Sequence, residues 1–375
     1  MTDIVSAYSK QQRSPEAARD LLNQLGSSTP KAIVFFASVN HDGRVLSQAL
    51  RQRFPSAEVV GCSTCGEWTD AQHGKEGVAL LALGGSRVRR CAGALARFDG
   101  GSVDAGIQAA SDDLSKTLGS SLRELDPSCH VGIALLEGAH CREEQVNESL
   151  GNAAPLLSFV GGSAGDNLAF KQTYVYRNGE VSGDGAALLV MEMATPFSVV
   201  KACHFAPTSR ELCITKAIPE KRIILEFDGR PAAQVYAEAV GVSPEKLDFS
   251  VFLTNPLGLM IQGKPWLRSV IRQVESGGLF FACGVLEGMR LSIMRGDDLV
   301  ADTREALAAA RKDLGGSIGG GLFFNCAYRM LEMDLKKIEG PYHAMLSGFP
   351  LAGFHTHGES WLGHINQTLT GLVFA

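Results

Sequence analysis

No stretch of this chain reaches the roughly 18 consecutive apolar residues that a membrane-spanning helix needs. The opening segment carries Asp3 and no apolar core, so it lacks the pattern of a secretory signal. A membrane is therefore not an expected partner, and a cytoplasmic location is. A basic excess is missing as well: 35 Lys and Arg stand against 40 Asp and Glu, for a net charge of -5. Without a cationic block there is no drive toward phosphate backbones, and nucleic acid drops out of the expected partners. The nine cysteines are odd in number and scattered, which reads as reduced thiols rather than a disulfide framework.

What is present is ordinary globular material, 45% hydrophobic and 20% charged over 375 residues. That length favours two domains. Ser14-Pro15-Glu16 reads as a cap and a first-turn proline opening an amphipathic helix that ends at Gly26. KAIVFFASV (31–39) is a doubly buried strand, RVLSQALRQRF (44–54) a helix, and AEVVG the next strand, running into a Gly-rich loop. The same unit returns at 130–167, with Gly161 one hundred residues after Gly61, and again toward 320–359. FPSAEVVGCSTCGE and FPLAGFHTHGE align so that Gly61, Thr64, Gly66 and Glu67 correspond to Gly353, Thr356, Gly358 and Glu359, an internal duplication. Asn178-Gly179 between short strands signals a type I′ hairpin. The fold class expected is α/β with mixed sheets and internally duplicated strand–helix–strand units. The expected segments are an N-terminal helix over 1–28 and two domains over 29–222 and 223–375.

Several motifs suggest chemistry. GGSAG (161–165) matches a nucleophile elbow and makes Ser163 a candidate hydrolase serine, but the residues that follow read as strand and hairpin, not the helix an elbow requires. GLMIQGKP (258–265) approaches a phosphate-binding loop, with Pro265 where the magnesium-binding hydroxyl belongs. Cys62 and Cys65 have C-x-x-C spacing without a second pair, and the duplication sets Cys65 opposite His357. If the copies face each other, Cys62, Cys65, His355 and His357 would surround one cleft and suit zinc or an iron–sulfur cluster. His204 lies in a strand-like run. His41, His73, His343 and His364 read as loop or surface residues, and His130 and His140 flank a strand.

In this order, VVGCSTCGE, FVGGSAGDN, FDGRPAAQVYAEAVG, NPLGLMIQGKPWLRSVIR, GGLFFNCAYR and GFHTHGE resemble the FIST family over nearly the whole chain. The resemblance implies an N-terminal and a C-terminal FIST domain in a sensory, small-ligand-binding protein, not an enzyme. The family is associated with histidine kinases and cyclic-diguanylate signalling. A chain without an attached output domain is similar to the family's haem-binding nitric-oxide sensors. The expected ligand is then a small diatomic read by noncovalent haem b, the expected partner a sensor histidine kinase in a two-component system, and a homodimer is possible. No Cys-Pro pair occurs, so a neutral imidazole is the expected iron ligand. His204 and His357 rank ahead of His355, because two residues of extended chain let only one of the latter pair face a pocket.

Overall fold

The computed structural model describes residues 3–375. β1 (Ile4–Ser9) precedes α1 (Ser14–Leu25), whose capping position is Arg13 and not Ser14. Ser14 Oγ instead accepts from the N–H of Asp42 at 2.9 Å, tying one helix start to the next. β2 (Ala32–Ser38), α2 (Gly43–Arg53) and β3 (Glu58–Thr64) make the first unit, its two strands parallel. Asp42 caps α2 by accepting from the N–H groups of Arg44 and Val45. β4 (Glu67–Thr69) and β5 (His73–Gly74) leave as a hairpin, and β6 (Val78–Leu83) returns between β2 and β1.

The second unit repeats this plan with β7 (Val88–Arg97), α3 (Val103–Leu118), β8 (His130–Leu136), α4 (Glu143–Ala153) and β9 (Phe159–Ser163). Its hairpin is β10 (Val175–Arg177) and β11 (Glu180–Ser182), and β12 (Gly185–Met193) closes the sheet. Asn178 and Gly179 turn that hairpin with φ of 48° and 90°, the left-handed pair of a type I′ turn.

β13 (Phe197–Ala202) begins the third unit, which is then interrupted by an eight-stranded antiparallel sheet. That sheet comprises β14 (Phe205–Ile218), β15 (Ile223–Phe227), β16 (Arg230–Pro231), β17 (Leu257–Ile261), β18 (Lys264–Arg268), β19 (Val270–Gln273), β20 (Leu279–Phe281) and β21 (Arg290–Gly296). α5 (Ala232–Val240) and α6 (Phe249–Thr254) pack on it. The boundary expected at 222/223 falls inside this sheet, between β14 and β15. The would-be phosphate loop is simply the β17–β18 turn, with Gln262 and Gly263 at φ of 50° and 75°. The third unit resumes with α7 (Leu299–Asp313), β22 (Gly320–Cys326), α8 (Ala327–Lys336), α9 (Glu339–Leu346) and β23 (Leu351–Thr356). β24 (Glu359–Trp361) and β25 (His364–Ile365) form its hairpin, and β26 (Leu369–Phe374) ends it.

The three six-stranded sheets have one order: β1-β6-β2-β3, β7-β12-β8-β9 and β13-β26-β22-β23, each extended by a hairpin from another unit. β4–β5 joins β23, β10–β11 joins β3, and β24–β25 joins β9, so the exchange closes on itself in a ring. The expected α/β class with mixed sheets and repeated units is therefore borne out, and Gly61, Gly161 and Gly353 occupy equivalent strands. The inner faces of all three sheets meet in one core that includes Phe36, Val60, Ile133, Val160, Phe324 and Phe354. The outer faces bury α1 and α2, α3 and α4, and α7 to α9. This double burial is why the parallel strands read as unbroken apolar runs. Phe36 and Phe354 join the first and third sheets at 4.7 Å between ring centroids, a contact contributing roughly 0.5–1.5 kcal/mol beyond buried area.

Candidate functional site

The Gly-rich loops after β3, β9 and β23 meet where the three sheets converge. Glycine at 161 is required by close approach, since a Cβ there would stand 1.8 Å from the Ala134 carbonyl oxygen. The loops then bond one another at equivalent positions. Cys65 N–H donates to His355 O at 3.1 Å, His357 N–H to Ser163 O at 3.1 Å, and Gly165 N–H to Ser63 O at 2.9 Å. Thr64 Oγ1 donates to Glu67 at 2.8 Å, and Thr356 Oγ1 to Glu359 at 2.6 Å, a repeated pair that the duplicated residues foretell. Burial pushes the Glu67 carboxyl up to about 8 and that of Glu359 up to about 7, outweighing the hydrogen bonds each accepts.

The sequence-predicted residues sit around this ring without forming one site. Cys62 points into the three-sheet core, and burial pushes its thiol well above the usual range. His355 accepts from Asn325 Nδ2 at 3.0 Å under the Trp68 ring, and burial holds it well below the ordinary imidazole range. His357 stacks on Phe170 at 4.6 Å, with Nε2 3.5 Å from Asp166. Burial opposes its protonation, yet neighbouring Cys65 and Asp166 outweigh burial and raise it to about 9. Nε2 has no hydrogen-bond partner, but the cavity beside it is only ≈ 20 Å³, room for a single water.

His204 is buried with both ring nitrogens engaged. Its Nε2 donates to both Glu332 oxygens, 2.9 and 3.0 Å away, and Nδ1 accepts from Arg329 at 3.2 Å. Ser163 Oγ donates to Glu143 at 3.3 Å. Burial would raise Glu143, but Arg222 and His364 prevail and hold it at about 2, too weak a base to activate a hydroxyl. No helix follows Ser163 before β10, so the elbow geometry is absent among the described residues.

Among the described residues, the groups whose donor atoms converge within 4.8 Å are His73 with Glu339 and His343, and Glu137 with His140 and Asp184. Neither contains Cys62, Cys65, His355 or His357. The second group borders a cleft of ≈ 550 Å³ between α4 and the inserted sheet, lined by His140, Cys141, Arg222, Arg268, Leu286 and Met289 among others. Glu137 is buried at the end of β8, where it accepts from Ala139 N–H, His140 N–H and His140 Nδ1, the last at 2.8 Å. His140 Nε2 makes no hydrogen bond among the described residues, and its ring is half exposed. Arg222 crosses from the inserted sheet to Glu143 at 2.6 Å and to Glu144. Arg268 Nε is buried without a partner. The Glu-Gly-x-His spacing after a buried strand is the signal that could have found His140. Its value depends on knowing that a distant sheet folds back to make the second wall.

Two family models match consecutive parts of the chain. The FIST N domain model matches residues 31–230 and the FIST C domain model residues 232–361. An uncharacterized protein of Methanocaldococcus jannaschii is 25% identical over 284 residues, 71% of this chain and 54% of that protein, so the chain spans about half the length of this curated relative. No helix among the described residues is long and apolar enough to cross a membrane. With both models together covering most of its length, the chain belongs to the FIST family, a family of small-ligand sensors.

Proposed function

We propose that the chain is a cytoplasmic small-ligand sensor without turnover of its own, whose ligand occupies the cleft between α4 and the inserted sheet, and that this ligand is haem b reading nitric oxide. The observation that carries the placement is His140, an imidazole at the rim of a ≈ 550 Å³ cleft with Nδ1 engaged by buried Glu137. A carboxylate behind an imidazole fixes the tautomer and leaves the other nitrogen for a metal. At the three histidines singled out by sequence, the surroundings do not fit a porphyrin. Both ring nitrogens of His204 are engaged, His355 is sealed under Trp68, and the ≈ 20 Å³ beside His357 is far below the roughly 300–1,000 Å³ of ligand pockets.

In the cleft, His140 would hold the iron, Leu286 and Met289 offer apolar surface, and Arg268 offers positive charge to propionates. Bound haem supplies an open iron position for an uncharged diatomic. The walls belong to different parts of the fold, joined across Arg222, Glu143 and Glu144. A ligand touching both walls biases how they sit, and a partner sensor histidine kinase would read that population. All nine cysteines are free thiols, as suits a reducing cytoplasm.

The test is a haem titration of the purified chain followed by nitric oxide. A saturable Soret band that shifts with the gas and is lost in His140→Ala supports the proposal. A band left unchanged in His140→Ala removes it.

A further inference from the structure

We infer that His73, Glu339 and His343 form a site for one divalent transition-metal ion of the zinc class, which bridges the exchanged hairpin β4–β5 to α9. The three donor groups come from two units: His73 from the hairpin that the first unit lends, Glu339 and His343 from one face of the third unit's helix at i, i+4 spacing. His73 Nδ1 lies 3.2 Å from Glu339 Oε1, and His343 Nε2 lies 4.0 Å from the same oxygen. Two donors on a tetrahedral ion with bonds near 2.0–2.1 Å stand about 3.3 Å apart, so the first pair is already spaced for a shared metal. The second pair is wider, and the parallel rings of His73 and His343 must turn so that their in-plane lone pairs converge on the ion.

The His343 ring supplies an independent sign. It is 11% exposed, and both its nitrogens are buried without any hydrogen-bond partner. Buried polar atoms left unpaired cost roughly 1–3 kcal/mol and call for a partner. The partner its surroundings provide is limited: His73 stacks parallel at 4.1 Å and Trp68 presents its ring at 5.8 Å. An ion placed between His73, Glu339 and His343 would take one of those nitrogens. Two imidazoles and one carboxylate suit zinc, cobalt, nickel or copper and leave at least one position open to solvent. Lys75, paired with Asp334 at 3.0 Å, already ties the same hairpin to the third unit, so a metal would strengthen an existing joint of the ring exchange.

The experiment uses the full-length chain without a metal-binding tag, titrated with Co²⁺ and followed by absorption and calorimetry. One equivalent should bind, with ligand-field bands of nitrogen and oxygen donors and no thiolate charge-transfer band. His73→Gln changes an exposed hairpin residue that leaves the fold intact. It should weaken uptake by more than the roughly 10- to 100-fold that losing an outer-shell partner costs. Glu339→Gln should weaken it in the same direction. Wild-type affinity and spectrum in His73→Gln would overturn the inference, as would a chain that takes up no Co²⁺ or one whose only bands are those of thiolates.

Discussion

The ring of Gly-rich loops and the cleft beside α4 both carry histidine, and they use it in opposite ways. At the ring, His355 is sealed under Trp68 and His357 is clasped between Phe170, Asp166 and Cys65. At the cleft, His140 is anchored through one nitrogen and open at the other, over a volume of ≈ 550 Å³ against ≈ 20 Å³ beside His357. The comparison separates conspicuous motifs from available chemistry. The duplicated loops hold three sheets together through backbone hydrogen bonds, and the imidazole nitrogen left unpaired at His357, Nε2, faces room for a single water. The residue with a free donor sits where the second unit meets the sheet inserted in the third.

The contrast breaks most severely at the joint behind the cleft. Arg222→Ala leaves Glu143 and Glu144 without their guanidinium, and losing one member of a buried pair costs about 3–5 kcal/mol. Denaturant unfolding should register that loss. Acid provides a second reading of the same pair. Since Glu143 is held at about 2 when folded, its contribution is present above the ordinary glutamate range near 4.5 and is lost as pH falls toward 2. The wild type should therefore lose more stability in that window than Arg222→Ala.

A smaller effect separates structural from ligand-binding histidines. His204→Ala strips Glu332 and Arg329 of a buried partner, for a cost of about 1–3 kcal/mol, while leaving haem uptake unchanged. His140→Ala should do the reverse, with stability within about 0.5 kcal/mol of wild type, as expected of a half-exposed residue. Parallel unfolding and haem titrations of the two variants would show whether these roles divide as described.

Between these lies a pH effect confined to the ring. Folding raises Glu67 to about 8, Glu359 to about 7 and His357 to about 9, so the folded chain holds protons that the unfolded chain has released. Their contribution is full below the unfolded values and is lost as pH rises through the folded ones. Stability should fall between about pH 4.5 and 9, the carboxyls acting from about 4.5 to 8 and His357 from about 6.5 to 9. Glu67→Gln, which cannot ionise, should flatten the part of that fall below about 8. A slope identical in Glu67→Gln and wild type would show that Glu67 is not holding its proton.

The fold was legible where residues alternate between few options. Unbroken apolar runs such as KAIVFFASV marked strands covered on both faces, Asn178-Gly179 marked a turn, and the spacing of Gly61, Thr64 and Glu67 announced its repeat at Gly353, Thr356 and Glu359. The short opening strand β1 was missed because it pairs with β6, some 70 residues later, and carries little pattern of its own. The site was less legible. Sequence could identify His355 and His357 as unusual but could not know that Asn325, Trp68, Asp166 and Phe170 would close around them. His73 and His343 read as surface residues for the same reason, since the hairpin that brings them together is lent across units.

The central claim, that the ligand lies in the cleft and not at the ring, is tested most directly by alkylation of Cys141. This thiol is the exposed one of the nine and lines the cleft, whereas Cys62 and Cys65 are buried at the ring. Labelling of the purified chain with a maleimide, with and without haem and resolved by peptide mass, reports the rate at each cysteine. The account predicts that haem slows labelling of Cys141 while the other thiols react as before. Equal rates at Cys141 with and without bound haem would contradict it.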